Sequence, residues 1–267
     1  MTTLDTRSAT LASTRGRHRG IPLSRITTTE LRKMFDTRSG FWLMASIGIL
    51  ALLATTAVIL FASSHQMTYK TFTSAINIPM TVVLPVIAIL SVTGEWSQRS
   101  GLSTFTLVPH RGRVIAAKAV ACVSVAIVTI PLAFAIGALG NLVGTAIARV
   151  DPVWDLTVVN LLANVLANVL SLLFGFMLGV LIRNSVGALV AYFVYQFLLP
   201  TLSLILAASQ DWFRELQPWI DFDYAQSALF DGALNTQQWT QLAITGTVWL
   251  IIPMIIGLRL VTRAEVK

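Results

Sequence analysis

The chain has 267 residues, 55% of them hydrophobic and only 12% charged, with a mean hydropathy of +0.74. One aqueous domain could not hide that much apolar surface, which excludes a soluble enzyme and points to a membrane. The formal net charge of +7 would raise the question of nucleic acid in a soluble protein, but most basic residues here sit at the ends of apolar runs, where they report membrane orientation.

Residues 1–20 are polar, basic and rich in Ser and Thr, the composition of a disordered cytoplasmic tail. They lack the short apolar region and small-residue cleavage site of a signal peptide. Across residues 22–38, Leu23, Ile26, Leu31, Met34 and Phe35 can form an apolar face while Arg25, Glu30, Arg32 and Lys33 stay wet. That pattern predicts a helix lying in the cytoplasmic interface; an ordinary juxtamembrane basic segment is the alternative.

A hydrocarbon core about 30 Å thick needs roughly 20 residues of helix. Six runs qualify: Phe41 to Ala62, Ile76 to Thr93, Val120 to Leu142, Leu156 to Ile182, Val186 to Ala208, and Leu242 to Leu260. The expected fold class is therefore an all-α membrane protein of six transmembrane helices. The third run stays apolar as far as Ala148, so it is long, tilted or broken near Pro131 or the glycines that follow. Apart from Arg259, one residue from the end of the last run, no Asp, Glu, Lys or Arg falls inside these six cores, which argues against a carrier driven by its own ion gradient.

Between the second and third spans, the segment from Gly94 to Lys118 carries Glu95, Trp96, Arg99, Arg111, Arg113 and Lys118. It is too short for a domain and too charged for lipid, so it is expected to touch something at the membrane surface. Cys122, the single cysteine, lies in an apolar run and reads as packing. In the fourth span, Asn160, Asn164 and Asn168 recur every fourth position and stack on one helical face, with Gly175 and Gly179 as a small-residue pair below them. Tyr192, Tyr195 and Gln196 group similarly on the fifth span. Interhelical hydrogen bonding is the preferred role for these groups, and lining a substrate path is the alternative. Pro79, Pro85, Pro131, Pro200 and Pro253 are expected to kink spans and free backbone groups.

The outer segment 209–241 is strongly aromatic, with Trp212, Phe213, Trp219, Phe222, Tyr224, Phe230 and Trp239. Trp and Tyr favour the headgroup region, so two short interfacial helices divided by Pro218 and Gly232 are expected, hugging or dipping into the outer leaflet; passive anchoring is the alternative. Asp221, Asp223 and Asp231 lack the spacing of a calcium loop and read as a solvated acidic rim.

Basic residues concentrate before span one and after span six, which places both termini in the cytoplasm; only Lys70, Arg149 and Arg214 of the 19 basic residues are then left outside. The chain carries no GxxxxGK[ST] loop, no HExxH and no GxSxG elbow, and His18, His65 and His110 lack partners at metal-ligand spacing.

The string Gly94-Glu95-Trp96, then Gly101-Leu102-Ser103-Thr104, then Pro109-His110-Arg111-Gly112-Arg113, then Ala117-Lys118 resembles the signature between the second and third spans of ABC-2 type transporter permeases, especially those of actinobacteria. The likeness extends to the segment around Glu30-Leu31-Arg32-Lys33, the six spans and the aromatic outer segment. Ser103 stands where threonine is commoner, and His110 interrupts a more usual Pro-Arg pairing. The resemblance implies the membrane subunit of an ATP-driven exporter in the plasma membrane, not itself an enzyme. Its loop 94–118 would couple to a separate ATPase, and two permeases, identical or not, would join two ATPase copies. ATP and magnesium would then sit on the partner, with no cofactor on this chain. Membrane lipids are implied as partners and nucleic acid is not. The expected cargo is an amphipathic or hydrophobic drug, peptide or lipid; the alternatives are a polysaccharide permease and a non-transporting scaffold or sensor that binds an ATPase.

Overall fold

A computed structural model describes residues 22–36, 38–97 and 111–263, with side chains throughout except at positions 39, 95–97, 111, 262 and 263. The expected tail at 1–20, Arg99 with the rest of 98–110, and residues 264–267 lie outside the described residues. Among the described residues the elements are helical, apart from one isolated bridge between Thr68 and Val153. In chain order they are α1 (Leu23–Asp36), α2 (Arg38–Phe61), α3 (Tyr69–Ser97), α4 (Arg111–Ala148) and α5 (Val158–Ile182). Next come α6 (Ser185–Phe193), a π-helical turn (Val194–Leu198) and α7 (Leu199–Ser209), which together form one span. Two short helices follow, α8 (Asp211–Ile220) and α9 (Phe222–Asp231). The last span is α10 (Thr236–Gly246), a second π-helical turn (Thr247–Ile251) and α11 (Ile252–Arg263).

Among the described residues, six helices are long and apolar enough to cross a membrane: Gly40–Phe61, Tyr69–Gly94, Gly112–Ala148, Val158–Ile182, Ser185–Ser209 and Thr236–Val261. The number agrees with the hydropathy pattern, and three boundaries move outward. The second span begins at Tyr69 because the chain caps it from afar: the Asp155 carboxylate accepts from Lys70 N–H at 2.8 Å, and Val153 C=O accepts from Tyr69 N–H at 3.1 Å. The third span is one unbroken helix of 38 residues with Pro131 inside it, roughly 57 Å long. The last begins at Thr236 behind a capping box, Asn235 accepting from Gln238 N–H and Gln238 from Asn235 N–H.

The core lies between α3, α4 and α5. Ile76, Met80, Leu84 and Ala88 of α3 meet Cys122, Ala126, Ile130 and Phe134 of α4 and Leu172, Phe176 and Val180 of α5. The close approach of α3 to α5 has a specific cause. Pro85 has no N–H, so the Thr81 carbonyl loses its helical donor. The Tyr192 hydroxyl, reaching across from α6, donates to it instead. Gly175 of α5 seats directly on Pro85: a Cβ there would lie 2.6 Å from Pro85 Cβ and 2.7 Å from its carbonyl oxygen. Gly179 continues the same face against Ile89 and Val92, so the expected small-residue pair is an interhelical contact.

Cys122 is buried, its sulfur 3.1 Å from Ser91 Oγ, consistent with packing. The fifth span, Ser185–Ser209, is the least covered of the six.

Candidate functional site

The α1 helix forms as expected but seats differently. Its buried residues are Ile26 and Glu30, and Met34 packs on the central core. Glu30, expected on the wet face, is only 5% exposed. A buried carboxylate needs a partner, and the Lys118 ammonium supplies it from α4, with Lys33 donating to the other oxygen at 2.7 Å. Burial by itself would raise the Glu30 pKa; the Lys118 charge and hydrogen bond, with Lys33 adding to them, hold it below its ordinary value. Lys118, expected as the end of the coupling loop, is likewise buried, and joins α1 to the first turns of α4. Arg32 is exposed and Arg113 half-buried. Glu95 lies near the end of α3 with Trp96, and Arg111 opens α4, so the backbone brings these positions to the α1 end of the bundle.

The amide ladder is structural at its two lower rungs. Asn77 of α3, which the spacing argument passed over, sits between them: its Nδ2 donates to Asn164 Oδ1 at 2.6 Å and its Oδ1 accepts from Asn168 Nδ2 at 3.0 Å. Asn164 and Asn168 also donate to the carbonyls of Asn160 and Asn164 at 2.8 and 2.9 Å. Both side chains are buried. Asn160, at the mouth of α5, is half-buried beside Gly232. The Tyr192 hydroxyl lies 2.9 Å from Gln196 Oε1, so this pair is committed to the α3 contact. A lone Asn in an otherwise apolar span was the available signal for Asn77.

The outer segment contains the least expected geometry. It does form two short helices, but the break falls at Asp221, not Pro218, which lies inside α8. Asp221 caps α9 by accepting from Tyr224 N–H at 3.1 Å, and Gly232 ends that helix at φ +140°. α8 and α9 fold back as a hairpin between the spans. The Phe222 ring stacks over Phe174, near the middle of α5, at 6.1 Å. Gln226 Nε2 donates to Ala167 C=O at 2.9 Å and to Ser171 Oγ at 2.6 Å, and Gly232 lies by Asn160. α9 therefore runs alongside α5 from its middle to its mouth. At the hairpin tip, Trp249 Nε1 of the sixth span donates to Ile220 C=O at 2.7 Å. Ten residues of α8 cover roughly 15 Å, and the tip lies level with the middle of α5.

The aromatic residues divide accordingly. Trp212 and Tyr224 are exposed and Trp219 half-buried, whereas Phe222 is enclosed by protein.

The tip carries charge. Asp221 accepts from Ser203 Oγ of α7, and Gln217 donates to the same Ser203 oxygen at 3.0 Å. Asp223 has no hydrogen bond or ion pair among the described residues. Burial, with Asp221 beside it, pushes its pKa up from the ordinary carboxylate range. Of the three aspartates read as a solvated rim, only Asp231 is exposed; Asp221 and Asp223 border a cavity of about 250 Å³. Both π-helical turns contribute to its wall, Tyr195 from the first and Trp249 from the second. π-turns widen a helix locally and recur at functional sites. Among the described residues no group of three or more His, Cys, Asp or Glu is placed to hold a metal ion. No protein-family model matches the chain, and no curated protein matches it in sequence.

Proposed function

We propose that the chain is the membrane subunit of an ATP-driven exporter of the ABC-2 type, which moves an amphipathic or hydrophobic molecule outward. The carrying observation is the buried Glu30–Lys118 ion pair. It ties α1 to α4 at the end of the bundle where the signature-bearing segment 94–118 joins α3 to α4. A push on that segment would reach both helices and the interfacial helix as one body, as an ATPase-driven membrane subunit requires. Energy would come from a separate ATPase subunit, present twice with its ATP and magnesium, and a second permease would complete the pathway. Both termini would lie in the cytoplasm beneath the plasma membrane. The hairpin favours transport over scaffolding, because ionisable groups held at membrane depth are costly and usually mark a substrate or ion route.

The test is co-purification of the detergent-solubilised chain with the ATPase encoded beside it. Wild type should retain the ATPase, a Glu95 and Arg111 double substitution should lose it, and Glu95→Ala or Arg111→Glu alone should uncouple hydrolysis from transport. Normal transport by both single variants would overturn the assignment of the coupling segment.

A further inference from the structure

The cavity at the hairpin tip opens between the fifth span, α8 and α9, and the sixth span. Leu199, Leu206, Phe213 and Trp249 give it apolar walls. Its ionisable lining is wholly acidic or phenolic: Asp221, Asp223 and Tyr195, with no Lys, Arg or His among the lining residues.

These three groups are not equally engaged. Asp221 is occupied, one oxygen by Ser203 Oγ and the other by Tyr224 N–H. The Asp223 carboxylate, half-buried in a mostly apolar wall, has no partner among the described residues. A carboxylate in that position favours taking up a proton or being met by a cation. Tyr195 gives a second and independent sign. Its hydroxyl is fully buried with no hydrogen-bond partner among the described residues, and it lies in the field of both carboxylates. An orphaned buried hydroxyl is costly in a folded protein and persists where something else completes it. The Tyr195 ring is fixed in place, stacked on Phe174 at 3.8 Å and tilted towards Trp249 at 6.4 Å.

One chemistry meets both the charge and the rings. A cationic nitrogen neutralises Asp223 and is attracted by the electron-rich faces of Tyr195 and Trp249, and a protonated amine can in addition donate to the Tyr195 oxygen. The apolar walls take up the remainder of the molecule. An anion would be repelled, and a neutral body of the same shape would leave Asp223 unpaired.

We propose that this cavity binds a small organic cation, an amine or quaternary ammonium on an apolar body, with Asp223 as its counter-charge and the Tyr195 and Trp249 rings as its walls. At about 250 Å³ the site is below the roughly 300–1,000 Å³ of drug-sized pockets, so a single aryl group with a short ammonium arm suits it. Within the exporter reading this deepens the cargo class. The site itself needs no ATPase, so binding and coupling fail separately.

The experiment measures equilibrium binding of radiolabelled benzyltrimethylammonium to the full chain in nanodiscs of zwitterionic lipid, with empty nanodiscs subtracting partition. Wild type should bind saturably, and Asp223→Asn should lose about tenfold or more in affinity. Asp223→Glu should keep most of it, and Asp231→Asn, which removes a charge at the far end of α9, should leave it unchanged. The probe's charge is fixed, so pH dependence must come from the protein. The titratable groups facing Asp223 are Asp221, Tyr195 and Tyr192. Affinity should fall as pH drops from about 7.5 to about 5, because burial, with Asp221 beside it, pushes the Asp223 pKa up to about 6. That arm needs no variant and decides the matter if Asp223→Asn fails to insert. Retention no greater than empty nanodiscs, equal binding by Asp223→Asn, or a flat pH profile would overturn the proposal. ATPase co-purification measured alongside separates its failure from failure of the exporter reading.

Discussion

Gly175→Ala would test the contact on which the centre of the bundle depends. Non-bonded carbons rest about 3.5–4.0 Å apart. The added Cβ would meet Pro85 Cβ at 2.6 Å, its carbonyl oxygen at 2.7 Å and its Cα at 2.8 Å. Two of these atoms are backbone and the third belongs to a fixed ring, so no rotamer change relieves the overlap. α3 and α5 must separate by roughly 1 Å. Overpacking of this kind costs about 1–3 kcal/mol. The shift also stretches the Tyr192 bond to Thr81, worth about 0.5–1.5 kcal/mol. Alanine's better helix propensity returns about 1 kcal/mol, leaving a net loss of roughly 1–3 kcal/mol. For a chain of this size that is a fall in melting temperature of several degrees, read by size-exclusion fluorescence after heating in detergent. Gly48→Ala is the internal control, because nothing lies within 4 Å of its added Cβ. Propensity acts alone there, and the melting temperature should stay level or rise. If Gly175→Ala melts with or above wild type, α3 and α5 do not meet at Pro85 and the packing argument fails.

Three other outcomes follow from the same geometry. A double-mutant cycle of Asn77→Leu and Asn164→Leu should give a coupling of about 0.6 kcal/mol, the average for such bonds in membrane proteins, and zero coupling in a reversible unfolding assay would refute the amide bridge. Glu30→Gln should cost about 3–5 kcal/mol by breaking the buried ion pair with Lys118. Because the folded Glu30 pKa lies below its ordinary 4.5, its contribution is complete above that pH and is lost as pH falls through the lowered value. The difference in melting temperature between wild type and Glu30→Gln should thus shrink only in acid, and shrinkage on raising pH instead would contradict the ion pair. Tyr192→Phe should destabilise by about 1–3 kcal/mol, since it strands the carbonyl that Pro85 frees, and an unchanged melting temperature would mean that another donor reaches Thr81.

Much of the architecture was legible because a bilayer imposes a length rule that composition alone can meet. The six spans and the close approach at Gly175 and Gly179 are of that kind. What escaped was whatever depends on a distant partner. Tyr69 and Lys70 look like a polar boundary until Val153 and Asp155, far along the chain, cap them. Glu30 looks wet because amphipathicity is scored residue by residue, and its burial is bearable only through Lys118. The fold-back of the hairpin was hardest to see, since helices of ten residues with several charges read as interfacial helices and not as helices packed between spans. Phe222, Ala225, Gln226 and Leu229 do recur on one face of α9, which was a usable sign that it was buried in protein.

The hairpin also constrains how the molecule can be made. Neither α8 nor α9 is long or apolar enough to be inserted on its own, so with the termini in the cytoplasm, as proposed above, an emerging chain would be released with this segment on the far side of the membrane. Its binding wall is incomplete at that moment: the fourth span supplies Ala167 and Ser171 and the fifth Ser203, but Trp249 lies on the sixth, which is synthesised last. The segment can enter only after those three spans have docked, carrying two carboxylates downward into a preformed slot. Biogenesis therefore ends with a step that insertion machinery does not drive. A chain truncated before Trp249 would carry its first five spans in place and still leave 211–231 open to protease from outside.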